Sequence, residues 1–93
     1  PVGFAPCALR WEYVEGTEQS PAGYLEGIFV AAAFRRCGAA AGLLRRCEAW
    51  AKEKGCAEFA SDCELENEES RLFHAACGFS EVCRTINFAK RLA

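Results

Sequence analysis

Three short stretches of this chain hold residues whose types and spacing could do chemistry. The first is Arg35-x-x-Gly38-x-Ala40, set between an apolar run and an amphipathic one. Backbone amides at a helix start converge on a common point, small residues let an anion approach them, and neighbouring arginines add charge. The pattern suits a pyrophosphate. It lacks the lysine of a nucleotide-triphosphatase loop and the full glycine fingerprint of dinucleotide binders, so neither class follows. The second is Glu26, which interrupts the apolar run Tyr24-Leu-Glu-Gly-Ile-Phe-Val30. Burying a carboxylate costs several kcal/mol unless it is paired or solvated, so Glu26 marks a position facing a cleft. The third is the segment from Asp62 to His74, which contains the only histidine. With one histidine and no Cys-x-x-Cys pair among seven cysteines, no metal site is expected.

These residues need elements to position them. Period-two alternation predicts a strand from Val2 to Val14, with Leu9, Trp11 and Tyr13 on one side and Arg10 and Glu12 on the other. The turn-rich stretch Glu15 to Gly23 joins it to a second strand, Tyr24 to Val30, as a long hairpin. A helix follows from about Gly38 to Lys54, with Ala40, Leu43, Leu44, Cys47, Trp50 and Ala51 on one face and Gly55 as its stop. Cys56 to Asp62 reads as a short strand. Asn67, followed by Glu68 and Glu69, caps a second helix carrying Leu72, Phe73, Ala76 and Cys77, and Gly78 ends it. Phe79 to Leu92 reads as a last strand, with Val82, Ile86 and Phe88 on one face. The expected order is strand, strand, helix, strand, helix, strand in a single α/β (α+β) domain over residues 1–93.

Composition narrows the function classes. At 93 residues and 52% hydrophobic content the chain can form one modest core and is not disordered. Charges interrupt every apolar run before it reaches the roughly 18 residues of a membrane span. The net charge of -2 gives no general attraction for nucleic acid or an anionic membrane. An odd number of cysteines, several where a small apolar side chain fits, suits reduced thiols and a cytoplasmic location.

The motif Arg35-x-x-Gly38-x-Ala40 and the later Asn67-x-x-Ser70-x-x-Phe73-His74-x-x-x-Gly78-Phe79 together resemble the two cofactor-side motifs of the GNAT acetyltransferases. Further segments, among them Glu12-Tyr-Val-Glu-Gly-Thr-Glu18, Tyr24 to Val30 and Phe59-Ala-Ser-Asp62, are similar to the aminoglycoside 6'-N-acetyltransferases within that family. The resemblance implies a GNAT-like acyl-CoA N-acyltransferase fold, with a mixed, mainly antiparallel sheet and two helices. Such domains usually carry a strand, two helices and another strand before the matched region, so it implies a domain incomplete on its amino-terminal side.

It also implies acetyl-CoA as co-substrate and direct transfer of its acetyl group to an amine. On that reading Ile28, Phe29, Val30, Arg35, Arg36, Gly38, Ala39, Ala40, Asn67 and His74 lie along the coenzyme. Glu26 is the general base, Asp62 binds substrate ammonium or exchanges roles with Glu26, and His74 stands where the family often has a tyrosine that protonates the departing thiolate. Tyr13, Glu18, Glu26 and Asp62 would face the acceptor. Acids cluster at Glu12, Glu15 and Glu18 and again from Glu58 to Glu69, whereas Arg35, Arg36, Arg45 and Arg46 surround the cofactor helix. That separation suits a polycationic amine such as an aminoglycoside. A GNAT enzyme for another small amine or a protein amine, and a non-catalytic acetyl-CoA-binding or assembly module, remain as alternatives. The uncovered first strand, with Leu9, Trp11 and Tyr13, predicts a homodimer or larger assembly.

Overall fold

The computed structural model describes residues 3–31 and 38–93. Among these residues five strands and two helices occur in the order β1 (Gly3–Phe4), β2 (Cys7–Arg10), β3 (Ala22–Leu25), β4 (Phe29–Val30), α1 (Ala39–Glu53), β5 (Phe59–Ala60) and α2 (Glu68–Ala76). They form a three-stranded sheet ordered β2-β3-β5 and a two-stranded one pairing β1 with β4. The β2–β3 and β1–β4 pairs are antiparallel and β3–β5 is parallel.

The two long strands expected over Val2–Val14 and Tyr24–Val30 are each broken. Cys7 pairs with Leu25 and Phe4 with Phe29, so Ala5 and Pro6 on one side face Glu26, Gly27 and Ile28 on the other. The extra residue is a bulge that ends the ladder and re-aims the chain. Pro6 has no N–H to donate there, and its carbonyl instead accepts from the Glu26 amide at 2.8 Å. The first strand also stops at Arg10, leaving Trp11 and Tyr13 exposed rather than on a packed face.

Helix α1 covers the sheet through Leu44, Cys47 and Ala51, a stripe at helical spacing. Leu44 and Cys47 join Leu25 in the core, against which Ala5, Cys7, Ile28, Phe59, Phe73, Cys77 and Phe79 pack. Gly23 makes the close approach possible: a Cβ there would lie 2.5 Å from the Phe59 ring and 2.9 Å from the Ala51 methyl. Both helices end in the same way. Gly55 and Gly78 take positive φ, and the amides of Cys56 and Phe79 bond back to the carbonyls of Ala51 and His74, closing a Schellman motif. On α2, Phe73 and Cys77 face the core while Leu72 is exposed, which narrows the expected face.

The last expected strand does not form among the described residues. From Phe79 onward the chain has no regular structure, and Val82, Ile86, Phe88 and Leu92 are exposed. Val82 nevertheless lies over the turn at Gly16, where a Cβ would come within 2.7 Å of it. Alternation can set the faces of a strand, but a ladder also requires a partner edge.

Candidate active site

The bulge exposes Glu26, which removes the cost of burying its carboxylate. Alternation along the sheet then brings distant residues to one face. On β3, Tyr24 points the same way as Glu26. Arg10 projects from β2 on that face, and Asp62 follows β5 two residues after Ala60, the register partner of Tyr24. The Arg10 guanidinium reaches across the Tyr24 ring, 4.0 Å from its centroid, and its Nη2 donates to Glu26 Oε1 at 2.8 Å. Tyr24 Oη donates to Asp62 Oδ2 at 2.7 Å. Glu26 and Asp62 are therefore linked by a cation lying over a tyrosine.

The pair is open to water, with the Arg10 and Glu26 side chains 43% and 40% exposed. The hydrogen bond to Glu26 raises the Arg10 pKa further, so Arg10 is a permanent cation here. Burial, followed by the bond to Asp62, pushes the Tyr24 phenol up to about 12. Tyr24 thus remains a donor to Asp62 across the physiological range. Sequence reasoning missed both Arg10 and Tyr24. Hairpin register combined with period-two alternation could have found them, since that combination places Arg10, Tyr24 and Glu26 on one face.

His74 is half-buried on α2 and lies close to the end of β5. Its Nδ1 is 2.7 Å from the Ser70 carbonyl oxygen, which can only accept, so this nitrogen carries a proton. In the neutral ring Nε2 is then the acceptor, and it receives the Ser61 hydroxyl at 2.8 Å. The ring also meets Phe79 edge-on at 5.0 Å. His74 therefore ties α2 to the strand end that carries Asp62. Both ring nitrogens are engaged within the protein.

Tyr13 and Glu18 lie in the connection between β2 and β3 and not in this cluster. Tyr13 is 77% exposed and donates to Glu15 at 3.2 Å, a bond that raises its own pKa. The connection is anchored just before β5: Glu58 Oε1 accepts the amides of Glu18 and Gln19 at 2.8 and 2.9 Å. Glu58 is thus committed to the backbone rather than presented to a ligand. Glu68, another member of the acidic run, is paired with Arg71, which holds its carboxyl below the usual range.

The proposed cofactor side is the start of α1. Gly38 occupies the N-cap with φ 85°, and among the described residues no side chain caps the helix and no acid stands in its first turn. The turn is built from the small residues Ala39, Ala40, Ala41 and Gly42, all half-buried. A Cβ on Gly38 would meet nothing within 4 Å, hence glycine is needed for its left-handed backbone and not for packing. Arg35 and Arg36 lie outside the described residues. Ile28 is packed on the core, whereas Phe29 is exposed and stacks on Phe4 with centroids 4.8 Å apart. At α2 the Asn67 Oδ1 accepts the Ser70 amide at 3.0 Å, which is the expected cap and occupies that atom.

Comparison with known proteins gives the chain a family. A sequence model of the Acetyltransferase (GNAT) family matches residues 1–79. An aminoglycoside N(6')-acetyltransferase type 1 from Serratia marcescens is 47% identical over 91 residues, 98% of this chain and 62% of that protein. The protein of the same name from Acinetobacter haemolyticus is 45% identical over 98% of this chain and 63% of its own length. Among solved structures, AAC(6')-Iy in complex with the bisubstrate analogue CoA-S-monomethyl-acetylneamine superposes with a TM-score of 0.91. It is 44% identical, over 98% of this chain and 62% of that one. The ligand-free 6'-N-acetyltransferase AAC(6')-IG of Acinetobacter haemolyticus gives 0.89 at 44% identity, over 99% and 63% of the two chains. The chain thus spans less than two thirds of the length of each of these four proteins. With a family match over most of its length and this mixed α/β fold, the chain belongs to the Acetyltransferase (GNAT) family.

Proposed function

We propose that this chain is part of an acetyl-CoA-dependent N-acetyltransferase that acetylates the 6'-amino group of aminoglycosides by direct transfer. One observation carries the reading: the bulge presents Glu26 at the sheet break, linked through Arg10 and Tyr24 to Asp62, in a chain almost half identical to enzymes of that name. Glu26 accepts the proton of the attacking amine, directly or through water. Asp62, held by Tyr24, binds a second ammonium group. Complementary charge orients a polycation before reaction.

The residues at the start of α1 fit the coenzyme. Gly38, Ala39 and Ala40 offer the helix-start amides to a pyrophosphate without a competing side-chain cap or acid among the described residues, with Arg35 and Arg36 adding positive charge. Ile28, Phe29 and Val30 border the pantetheine arm, and Asn67 and His74 approach it from α2. Acetyl-CoA supplies the activated acetyl thioester. His74 serves as thiolate acid only if its Nε2 side is protonated, which would reverse the present bond with Ser61.

The tail bears Val82, Ile86, Phe88 and Leu92, which are exposed as is Trp11. This supports a homodimer or larger assembly that covers them. Exposed thiols at Cys63 and Cys83 suit the reducing cytoplasm, where acetylation would confer antibiotic resistance. The reading is tested by a thiol-release assay with acetyl-CoA across neamine, a polyamine and a peptide amine. Release with neamine and modification at its 6' nitrogen are expected. Turnover confined to the polyamine or peptide would replace the substrate class.

A further inference from the structure

Arg10 has no part in the proton and ammonium roles just described, yet it occupies their centre. Its guanidinium bonds to Glu26 at 2.8 Å, lies on the Tyr24 ring, and feels the charge of Asp62. A guanidinium over an aromatic face and beside a carboxylate makes the contacts that a bound ammonium group would make. From these contacts we infer that Arg10 is a resident cation of the acceptor site, a specificity-determining residue that an incoming ammonium group must displace from Glu26. This inference rests on the aminoglycoside reading of the site.

Three features make displacement feasible. The pair is about two-fifths exposed on both sides, and ion pairs so open to water hold weakly and exchange readily. The arginine stem starts on β2, opposite Ala22, and spans Tyr24 to reach Glu26. Rotation of that long side chain therefore frees Glu26 without moving the backbone. Tyr24 keeps its own bond to Asp62 throughout, so one carboxylate stays oriented while the other changes partner.

The consequence is discrimination by charge. With Arg10 in place, the Glu26–Asp62 pair carries one net negative charge. A ligand with one ammonium group gains little by exchanging with Arg10, because the guanidinium already satisfies Glu26. A ligand with several can engage Asp62 while it replaces Arg10 at Glu26. Removing Arg10 should therefore strengthen amine binding at both sites and diminish the advantage of polycations.

The test is calorimetric titration of the chain and its Arg10→Gln and Arg10→Lys variants with neamine and with singly charged glucosamine, after circular dichroism has verified folding. Arg10→Gln should bind neamine about three- to tenfold more tightly. It should also narrow the ratio between neamine and glucosamine, and Arg10→Lys should restore values near wild type. A neamine affinity unchanged or weakened in folded Arg10→Gln, against a wild type that binds, overturns the inference and leaves the aminoglycoside reading standing. If neither wild type nor variant binds neamine, the aminoglycoside reading falls and this inference falls with it. Restoration by Lys distinguishes a charge effect from loss of a structural contact.

Discussion

The two helix starts have opposite solutions to the same electrostatic problem. Each exposes amides that lack intrahelical partners and a partial positive charge. At α2 the protein supplies everything itself: Asn67 accepts the Ser70 amide, and Glu68 and Glu69 stand in the first turn. At α1 no described residue does so. A left-handed glycine leads into alanines with no side-chain cap and no acid. The contrast separates an end that caps itself from an end that, among the described residues, has neither cap nor acid, and on the proposed function the coenzyme pyrophosphate is the anion that would take that place.

The acceptor side sharpens the same division of labour, and it carries the largest expected effect. Glu26→Gln should lower turnover by roughly 10²-fold or more while leaving coenzyme affinity nearly unchanged. Steady-state kinetics alongside CoA titration would show the split. Equal losses in both quantities would mean that Glu26 shapes the cofactor side as well, and the two-region description would fail.

Next in size is the cap. Asn67→Ala should cost about 1 kcal/mol of stability, read as a lower midpoint in urea at unchanged slope. Were CoA affinity to fall by more than the folded fraction explains, Asn67 would have a ligand role beyond its bond to Ser70. Replacing Gly38 by Ala should also destabilise, by roughly 1 kcal/mol, because its φ of 85° is strained for any side chain.

Tyr24 gives a smaller, pH-dependent effect. Its phenol titrates near 12 in the folded protein against about 10 in an unfolded chain. The folded state binds that proton more tightly, so the associated stability is complete below about pH 10 and lost as pH rises toward 12. Absorbance of phenolate in the ultraviolet should show a step near 12 that Tyr24→Phe removes. A titration in which both tyrosines ionise together near 10 would contradict the Tyr24–Asp62 bond. The thiols should differ too. Cys47, pushed up to about 11 chiefly by burial and then by Cys7, should be alkylated far more slowly than exposed Cys63 and Cys83.

How far the sequence carried this picture depended on whether a feature was local. Helix α1 was legible within a residue at each end, because its apolar stripe and Gly55 stop are written in adjacent turns. The Asn67 cap and Gly78 stop of α2 were legible for the same reason. The breaks in both long strands were not, since a bulge arises from counting Ala5-Pro6 against Glu26-Gly27-Ile28 across two strands. The tail misled in a related way: Val82, Ile86 and Phe88 alternate, but no described strand offers them an edge. In the site, the anomaly of Glu26 was visible in one strand. Arg10 and Tyr24 became visible only once register set them beside it.

The most direct test of the account places an acid at the open helix start. Ala40→Glu adds a charge that favours the α1 dipole, by about 0.3–1 kcal/mol for an exposed carboxylate, while opposing any anion bound there. Calorimetry with CoA and a thermal melt should be run on the variant and the wild type together. CoA affinity at least about tenfold weaker with a melting temperature equal or higher is expected. A folded variant that binds CoA as tightly as wild type would contradict the claim that the open start of α1 receives the coenzyme.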